Sequence, residues 1–217
     1  MGDWEERAER AIARHDDGAT RLPEDADERQ RQLTRMGNAA WAAGLSLLMA
    51  GRDDEARAWL LQAAERYRES WPNAPAGSWG RPIGAMKSRL IAGDREGALE
   101  DASWALEAGA EKSESPIGRY AAALAHLVRG DDADAAELAA TLEGREDFPE
   151  AVADTLVTLA AGKARRYEEA IRTLLEDFAS RHEFLEDIAV ADTVLALQAL
   201  AVQRGLTVSL SSPLLPA

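Results

Sequence analysis

A turn that occurs three times along the chain is the feature that most restricts its fold. It is found in MAGRDDEA (residues 49–56), IAGDREGA (91–98) and VRGDDADA (128–135), and in each stretch a glycine is followed five residues later by an alanine. Glycine adopts the left-handed conformation that ends a helix, an aspartate just after it can accept the first N–H groups of the next helix, and alanine allows helices to cross closely. Each turn therefore predicts a helix hairpin, and a looser fourth copy runs from Gly162 to Ala170.

The apolar residues beside these turns recur at helical spacing, which predicts an all-α fold. We expect an irregular array of antiparallel helix hairpins with a short extended C-terminal segment. A helix is predicted near residues 3–15, a long helix after Pro23, and a buried final helix in IAVADTVLALQALAVQ (188–203). GLTVSLSSPLLPA (205–217) is predicted to be extended, because its prolines prevent further helix.

The length of 217 residues suits a single domain. Within it we predict N-terminal helices over 1–37, repeat-like hairpins over 38–181, and a terminal helix with an extended tail over 182–217.

The first hairpin resembles the tetratricopeptide repeat. The positions that match the spacing of that repeat are Gly44, Leu47, Gly51, Ala56, Leu60 and Ala63. The turn alanines Ala56, Ala98, Ala135 and Ala170 are 42, 37 and 35 residues apart, against a repeat of about 34. The resemblance implies stacked hairpins in an irregular array. An antiparallel bundle without repeats is the alternative, because such a bundle also ends helices with glycine and begins them with aspartate.

The loop SWPNAPAGSWGRP (70–82) interrupts the helices between the first two hairpins. Its prolines and glycines exclude a continuous helix, and Trp71 and Trp79 bring two large apolar side chains. One interpretation is that the indoles hold the loop in a groove between helices. The other is that Trp71, Trp79 and Arg81 contact a partner protein, because tryptophan and arginine are enriched in binding hot spots.

No motif for catalysis or for metal binding is complete. The absence of cysteine excludes disulfides, thiolate metal sites and cysteine nucleophiles. RHEFLED (181–187) has Glu186 where a zinc-protease motif has its second histidine. Asp131, Asp132 and Asp134 lack the spacing of a calcium loop and are interpreted as helix caps. We therefore predict no catalytic residue, no cofactor and no metal, and a protein that is not an enzyme.

The formal net charge is −14, from 39 acidic and 25 basic residues. This excess disfavours nonspecific binding to nucleic acid or to an anionic membrane, and it favours a basic protein partner. The opening MGDWEERAER lacks the features of a signal peptide, and no apolar run is long enough to cross a bilayer. Together with the absence of cysteine, this predicts a cytoplasmic protein.

The C-terminal stretch DTVLALQALAVQRGLTVSLSSPLLP resembles the end of the immunity protein forty-nine family, whose members are all-helical and are associated with bacterial polymorphic toxins. GSWGRPIGAMKSRLIAGD (77–94) resembles the central tryptophan segment of that family. The resemblance implies a non-catalytic protein that binds and inhibits a toxin domain. Two alternatives stay open: the tail only covers an exposed helical edge, or the protein is an enzyme with a carboxylate-based site between helices.

Overall fold

The computed structural model describes residues 3–217 and shows an all-α protein. Within these residues there are ten α-helices and no strand, so the predicted fold class is confirmed. The helices are α1 (Asp3–Thr20), α2 (Ala26–Met49), α3 (Asp53–Ser70), α4 (Gly80–Ile91), α5 (Arg95–Glu107), α6 (Pro116–Arg129), α7 (Asp132–Ala140), α8 (Glu150–Ala160), α9 (Ala164–Ser180) and α10 (Asp192–Gln203). None of the helices in the described part of the chain is both long and apolar enough to span a lipid bilayer.

Successive helices pack in pairs across the predicted turns: α2 with α3, α4 with α5, α6 with α7, and α8 with α9. Gly51, Gly93 and Gly130 have φ values of 73°, 69° and 84°, the left-handed conformation that the turn requires. The alanine five residues after each of these glycines is buried. A Cβ on Gly44 would lie 2.7 Å from Cγ of Leu60, so the α2–α3 crossing leaves no room for a side chain there.

The predicted capping by aspartate is found at only one of the three turns. Asp94 accepts a hydrogen bond from the N–H of Gly97 at 3.2 Å, but neither Arg52 nor Asp131 caps the helix that it precedes. The interpretation of Asp132 as a cap is also wrong, because its carboxylate pairs with Arg204, which directly follows the last helix. The left-handed glycine is therefore the feature that all three turns share, and side-chain capping is not.

Helix α10 packs against α4 and α9 and is tied to the array by polar contacts at both ends. Lys87 Nζ lies 2.5 Å from the Asp192 carboxylate, and Arg204 Nη2 donates to the Leu127 carbonyl at 2.7 Å. The tail after α10 is extended, as predicted, and folds back so that the Leu214 carbonyl accepts from the Ala191 N–H at 2.9 Å.

Two segment boundaries differ from the sequence-based expectation. The boundary predicted after residue 37 lies inside α2, because the long helix after Pro23 and the first helix of the first hairpin are one continuous helix. Helix α1 continues to Thr20, five residues beyond the predicted end at residue 15. The N-terminal helices are thus continuous with the array, since α1 packs on α2 and α2 packs on α3.

Candidate functional site

The two indoles of the tryptophan loop pack against the helices, whereas residues 75–77 of the loop are exposed. Trp79 is only 8% exposed, and its ring centroid lies 5.7 Å from that of the partly buried Trp71. Trp71 also meets the edge of Trp104 of α5 at 5.4 Å. The packing is that of the first interpretation, in which the indoles hold the loop between helices.

Arg81, the third predicted partner-binding residue, is 7% exposed and points into the interior. Its guanidinium donates to Gln30 Oε1 and to Thr34 Oγ1 of α2, and its Nη1 has no hydrogen-bond partner. No carboxylate neutralises it, and burial lowers the pKa of Arg81. As placed here, Trp79 and Arg81 offer almost no surface to a partner, so the partner-binding interpretation does not describe their positions.

Arg81 lines a cavity of about 380 Å³ between α2, α3, α4 and the residues before α10. Asn38, Tyr67 and Lys87 add polar groups to its wall. Burial lowers the pKa of Lys87, but the adjacent Asp192 carboxylate outweighs this effect and raises it. Leu185, which is 56% exposed, also lines this cavity. Arg81 has no acidic partner and could attract an anionic group, while the Asp192 carboxylate, which also lines the wall, is paired with Lys87.

A cluster of charges between the second hairpin and α3 is centred on Arg89 of α4. Its Nε, Nη1 and Nη2 donate to Asp101 at 2.7 Å, Asp94 at 2.7 Å and Glu65 at 2.5 Å. Burial opposes the charge of Arg89, but these three carboxylates raise its pKa above the ordinary value. Asp101 is fully buried and also accepts from Arg68 at 2.8 Å. These carboxylates between helices are all bound by arginine, an arrangement that ties α4 and α5 to each other and to α3.

The third hairpin has His126 at the position that corresponds to Arg89, since each lies four residues before the turn glycine. Nε2 of His126 lies 2.6 Å from Oε1 of Glu111. Its Nδ1 is buried, makes no hydrogen bond, and lies 3.5 Å from Oδ2 of Asp131. His126 and Glu111 line a cavity of about 210 Å³, and Asp134 and Glu137 line it as well.

One ring nitrogen of His126 and one carboxylate oxygen each from Asp131 and Asp134 lie within 4.8 Å of one another. This is the one such group of potential metal ligands within residues 3–217. Sequence reasoning missed it because it attributed both aspartates to capping and treated His126 as isolated. The signal that could have found it is the unequal chemistry of equivalent positions in successive hairpins. The histidine of the RHEFLED motif, His182, is exposed and lies outside the group.

Residues 131–162 form the most acidic part of the chain, with nine carboxylates and a single basic residue, Arg145. Arg145 is bound to Asp147 at 2.8 Å. Among the described residues, six of the other carboxylates are exposed and have no ion pair or hydrogen bond: Asp134, Glu137, Glu143, Glu146, Glu150 and Asp154. We call these six side chains, on α7, α8 and the loop between them, the acidic face. Its chemistry suits a cationic protein surface.

Comparison with protein-family models, with curated proteins and with solved structures found no match to this chain.

Proposed function

We propose that this protein is a non-catalytic binding protein that captures a basic protein partner on the acidic face. The observation that carries the proposal is the concentration of negative charge without cations in one part of the fold. The acidic face belongs to a segment with nine acidic residues and one basic residue, whereas residues 38–92 contain five acidic and seven basic residues. Residues 131–162 therefore contribute a net charge of −8, from nine acidic residues and one basic residue, to the total of −14.

The physical consequence is long-range steering. Carboxylates without a counter-ion produce a negative potential that draws a cationic surface into the correct approach and raises the association rate. Apolar contacts at the centre of the complex then set the dissociation rate. The narrower form of the proposal follows from the family resemblance: an immunity-type protein that occupies and inhibits a toxin domain.

The test begins with co-expression and co-purification of this protein with the products of the neighbouring genes, followed by binding kinetics. The variant Glu143→Gln/Glu146→Gln/Glu150→Gln removes three charges from the acidic face. The matched control Glu9→Gln/Glu24→Gln/Glu28→Gln removes three exposed charges from α1, α2 and the segment between them.

We expect the acidic-face variant to associate about tenfold more slowly at low salt, with little change in its dissociation rate. The control should change the association rate much less. At about 0.5 M salt, where screening acts within a few ångström, the difference should disappear. An association rate that does not depend on salt, or a partner more acidic than this chain, contradicts the proposal.

A second candidate function is the binding of a small anion in the cavity beside Arg81. The specific observation is a buried guanidinium with neutral partners only. This candidate shares one feature with the enzyme alternative, which is a cavity between helices lined by ionisable groups. Calorimetric titration with inorganic phosphate and with acetate tests it: binding should be lost in Arg81→Gln and kept in Arg95→Gln, and no heat with either anion contradicts it.

A further inference from the structure

The second and third hairpins contain the same turn, 37 residues apart, and differ in what lies before the glycine. In the second hairpin, Arg89 supplies a positive charge to three carboxylates. In the third, His126 takes the place of Arg89 and is again surrounded by acidic groups, those of Glu111, Asp131 and Asp134. The neutral imidazole supplies a lone pair where arginine supplies a cation.

The contacts of His126 orient its ring. When Nε2 donates to Glu111 at 2.6 Å, the other nitrogen, Nδ1, keeps a free lone pair and lies 3.5 Å from Oδ2 of Asp131. His126 is 5% exposed, and Nδ1 has no hydrogen-bond donor. Histidines that bind metals are held in the same manner, with the second ring nitrogen bonded to a carboxylate that fixes the tautomer.

The position of Asp131 is a second, independent observation. Its counterpart Asp94 caps the next helix, but the side chain of Asp131 makes no capping bond to α7. It is directed at the turn instead, where Oδ2 lies 2.9 Å from Nε of Arg129 and 3.5 Å from Nδ1 of His126. The same oxygen, Oδ2, therefore contacts Arg129 and lies beside His126, so a cation bound at Nδ1 would share this oxygen with Arg129.

We propose that His126, Asp131 and Asp134 bind one divalent transition-metal ion of the zinc class, with Glu111 as a positioning residue for His126. Zinc bonds of about 2 Å in a tetrahedron place neighbouring ligand atoms about 3.3 Å apart. The 3.5 Å between Nδ1 and Oδ2 is close to that separation, and Asp134 on the first turn of α7 completes a set of three ligands. An imidazole with two carboxylates favours Zn²⁺, Ni²⁺ or Co²⁺ over Ca²⁺, which prefers oxygen ligands alone.

Such an ion would join the end of α6 to the start of α7 and so fix the third hairpin. It goes beyond the proposed capture of a basic partner and is tested on the isolated protein. Failure of metal binding leaves that proposal standing, because five of the six acidic-face carboxylates lie outside the ligand set.

The experiment titrates the full-length protein, first freed of metal by a chelator, with Co²⁺ and with Zn²⁺. Calorimetry gives the stoichiometry and affinity, and the visible absorption of Co²⁺ reports a tetrahedral environment. We expect one ion per chain and displacement of Co²⁺ by Zn²⁺. His126→Gln should weaken binding at least tenfold, and Glu111→Gln should weaken it about tenfold through the orientation of the ring.

The matched controls are His182→Gln, which removes an exposed histidine, and Asp154→Asn, which removes a carboxylate of the acidic face outside the ligand set. Both should keep the affinity of the unmodified protein. If His126→Gln unfolds by circular dichroism, Asp134→Asn replaces it, because Asp134 is exposed and its substitution leaves the core intact. The proposal is overturned by unchanged affinity in the ligand variants, by equal competition from Ca²⁺, or by no one-to-one binding.

Discussion

The α4–α5 and α6–α7 hairpins contain the same turn but use their charged residues differently. In α4–α5, Arg89 binds three carboxylates, and the fully buried Asp101 depends on it. In α6–α7, the corresponding His126 supplies a ring nitrogen, and the acidic side chains around it continue into the exposed acidic face. The comparison shows that one backbone arrangement can bind its carboxylates to an arginine or leave most of them exposed without a cation.

The difference between Arg89 and His126 is matched by a second difference in the following helix, where one hairpin has Gly97 and the other has Asp134. A Cβ on Gly97 would lie 2.4 Å from Nη1 of Arg89 and 2.4 Å from Oδ2 of Asp94. Any side chain at this position must therefore displace the Arg89 guanidinium or the Asp94 carboxylate. Asp134, 37 residues later, occupies the corresponding position beside the smaller His126. In these two hairpins, the residue four before the turn glycine and the residue four after it therefore differ together.

The largest effect is expected for Arg89→Met. The variant leaves Asp101 buried with only Arg68 as a partner, and breaking a buried ion pair costs about 3–5 kcal/mol. His126→Gln, the matched change in the other hairpin, should cost less than about 1 kcal/mol in the absence of metal, because no buried charge loses its partner. Urea unfolding measures both, and equal losses of stability would show that the two clusters play the same role.

Gly97→Ala should lower the free energy of unfolding by about 1–3 kcal/mol, because the new methyl group displaces Arg89 or Asp94 from their bonds. Helix propensity alone predicts the opposite sign, a gain of up to about 1 kcal/mol. Gly80→Ala in the first turn of α4 is the control, since a Cβ there meets no atom within 4 Å. A gain of stability in Gly97→Ala by chemical denaturation would mean that the Arg89 cluster adapts without cost.

His126→Arg tests the covariation in the reverse direction. Alone, the arginine should collide with Asp134 and destabilise the protein, whereas His126→Arg/Asp134→Gly rebuilds the arrangement found around Arg89. We expect the double variant to be about 1 kcal/mol more stable than the sum of the single changes predicts. A double-mutant cycle from urea melts provides the coupling energy. Strictly additive changes in the free energy of unfolding would show that the two positions are not coupled.

The glycine turns and the periodicity of apolar residues were sufficient to predict the hairpins, because both depend on residues close in sequence. Gly51, Gly93 and Gly130 end helices irrespective of what surrounds them. The direction of the tryptophan loop was not predictable, since it depends on Trp104 of α5, well outside the loop. The sequence shows which residues such a loop contains, but it does not show which helices the loop packs against.

The candidate site was missed for the same reason. Capping is a local interaction and was the natural prediction for Asp131 and Asp134, but the position of Glu111 beside His126 depends on the connection between α5 and α6. Likewise, Arg81 was predicted as a surface residue because its partners Gln30 and Thr34 lie on α2, about fifty residues earlier. Long-range polar contacts decided which charges are internal, and the net charge of the chain contains no information about them.

The smallest effect on stability, and the one that most directly separates the two kinds of carboxylate, is expected on the acidic face. Replacing Glu143, Glu146 and Glu150 by glutamine removes like charges that have no cation partner, so repulsion falls and stability should rise by up to about 0.5 kcal/mol at low salt. At about 0.5 M salt the gain should vanish, because exposed charges are then screened.

Asp94→Asn is the contrasting variant. Burial raises the pKa of Asp94, but the bonds from Arg89 and from the Gly97 N–H outweigh burial and hold this pKa below its usual range. A lowered pKa means that the ionised carboxylate stabilises the fold above its unfolded-state pKa, so this variant should lose stability at neutral pH, and the loss should shrink as the pH falls through the folded-state pKa. Urea melts at two salt concentrations decide between the cases: a loss of stability in the acidic-face variant would place its carboxylates in internal contacts like those of Asp94.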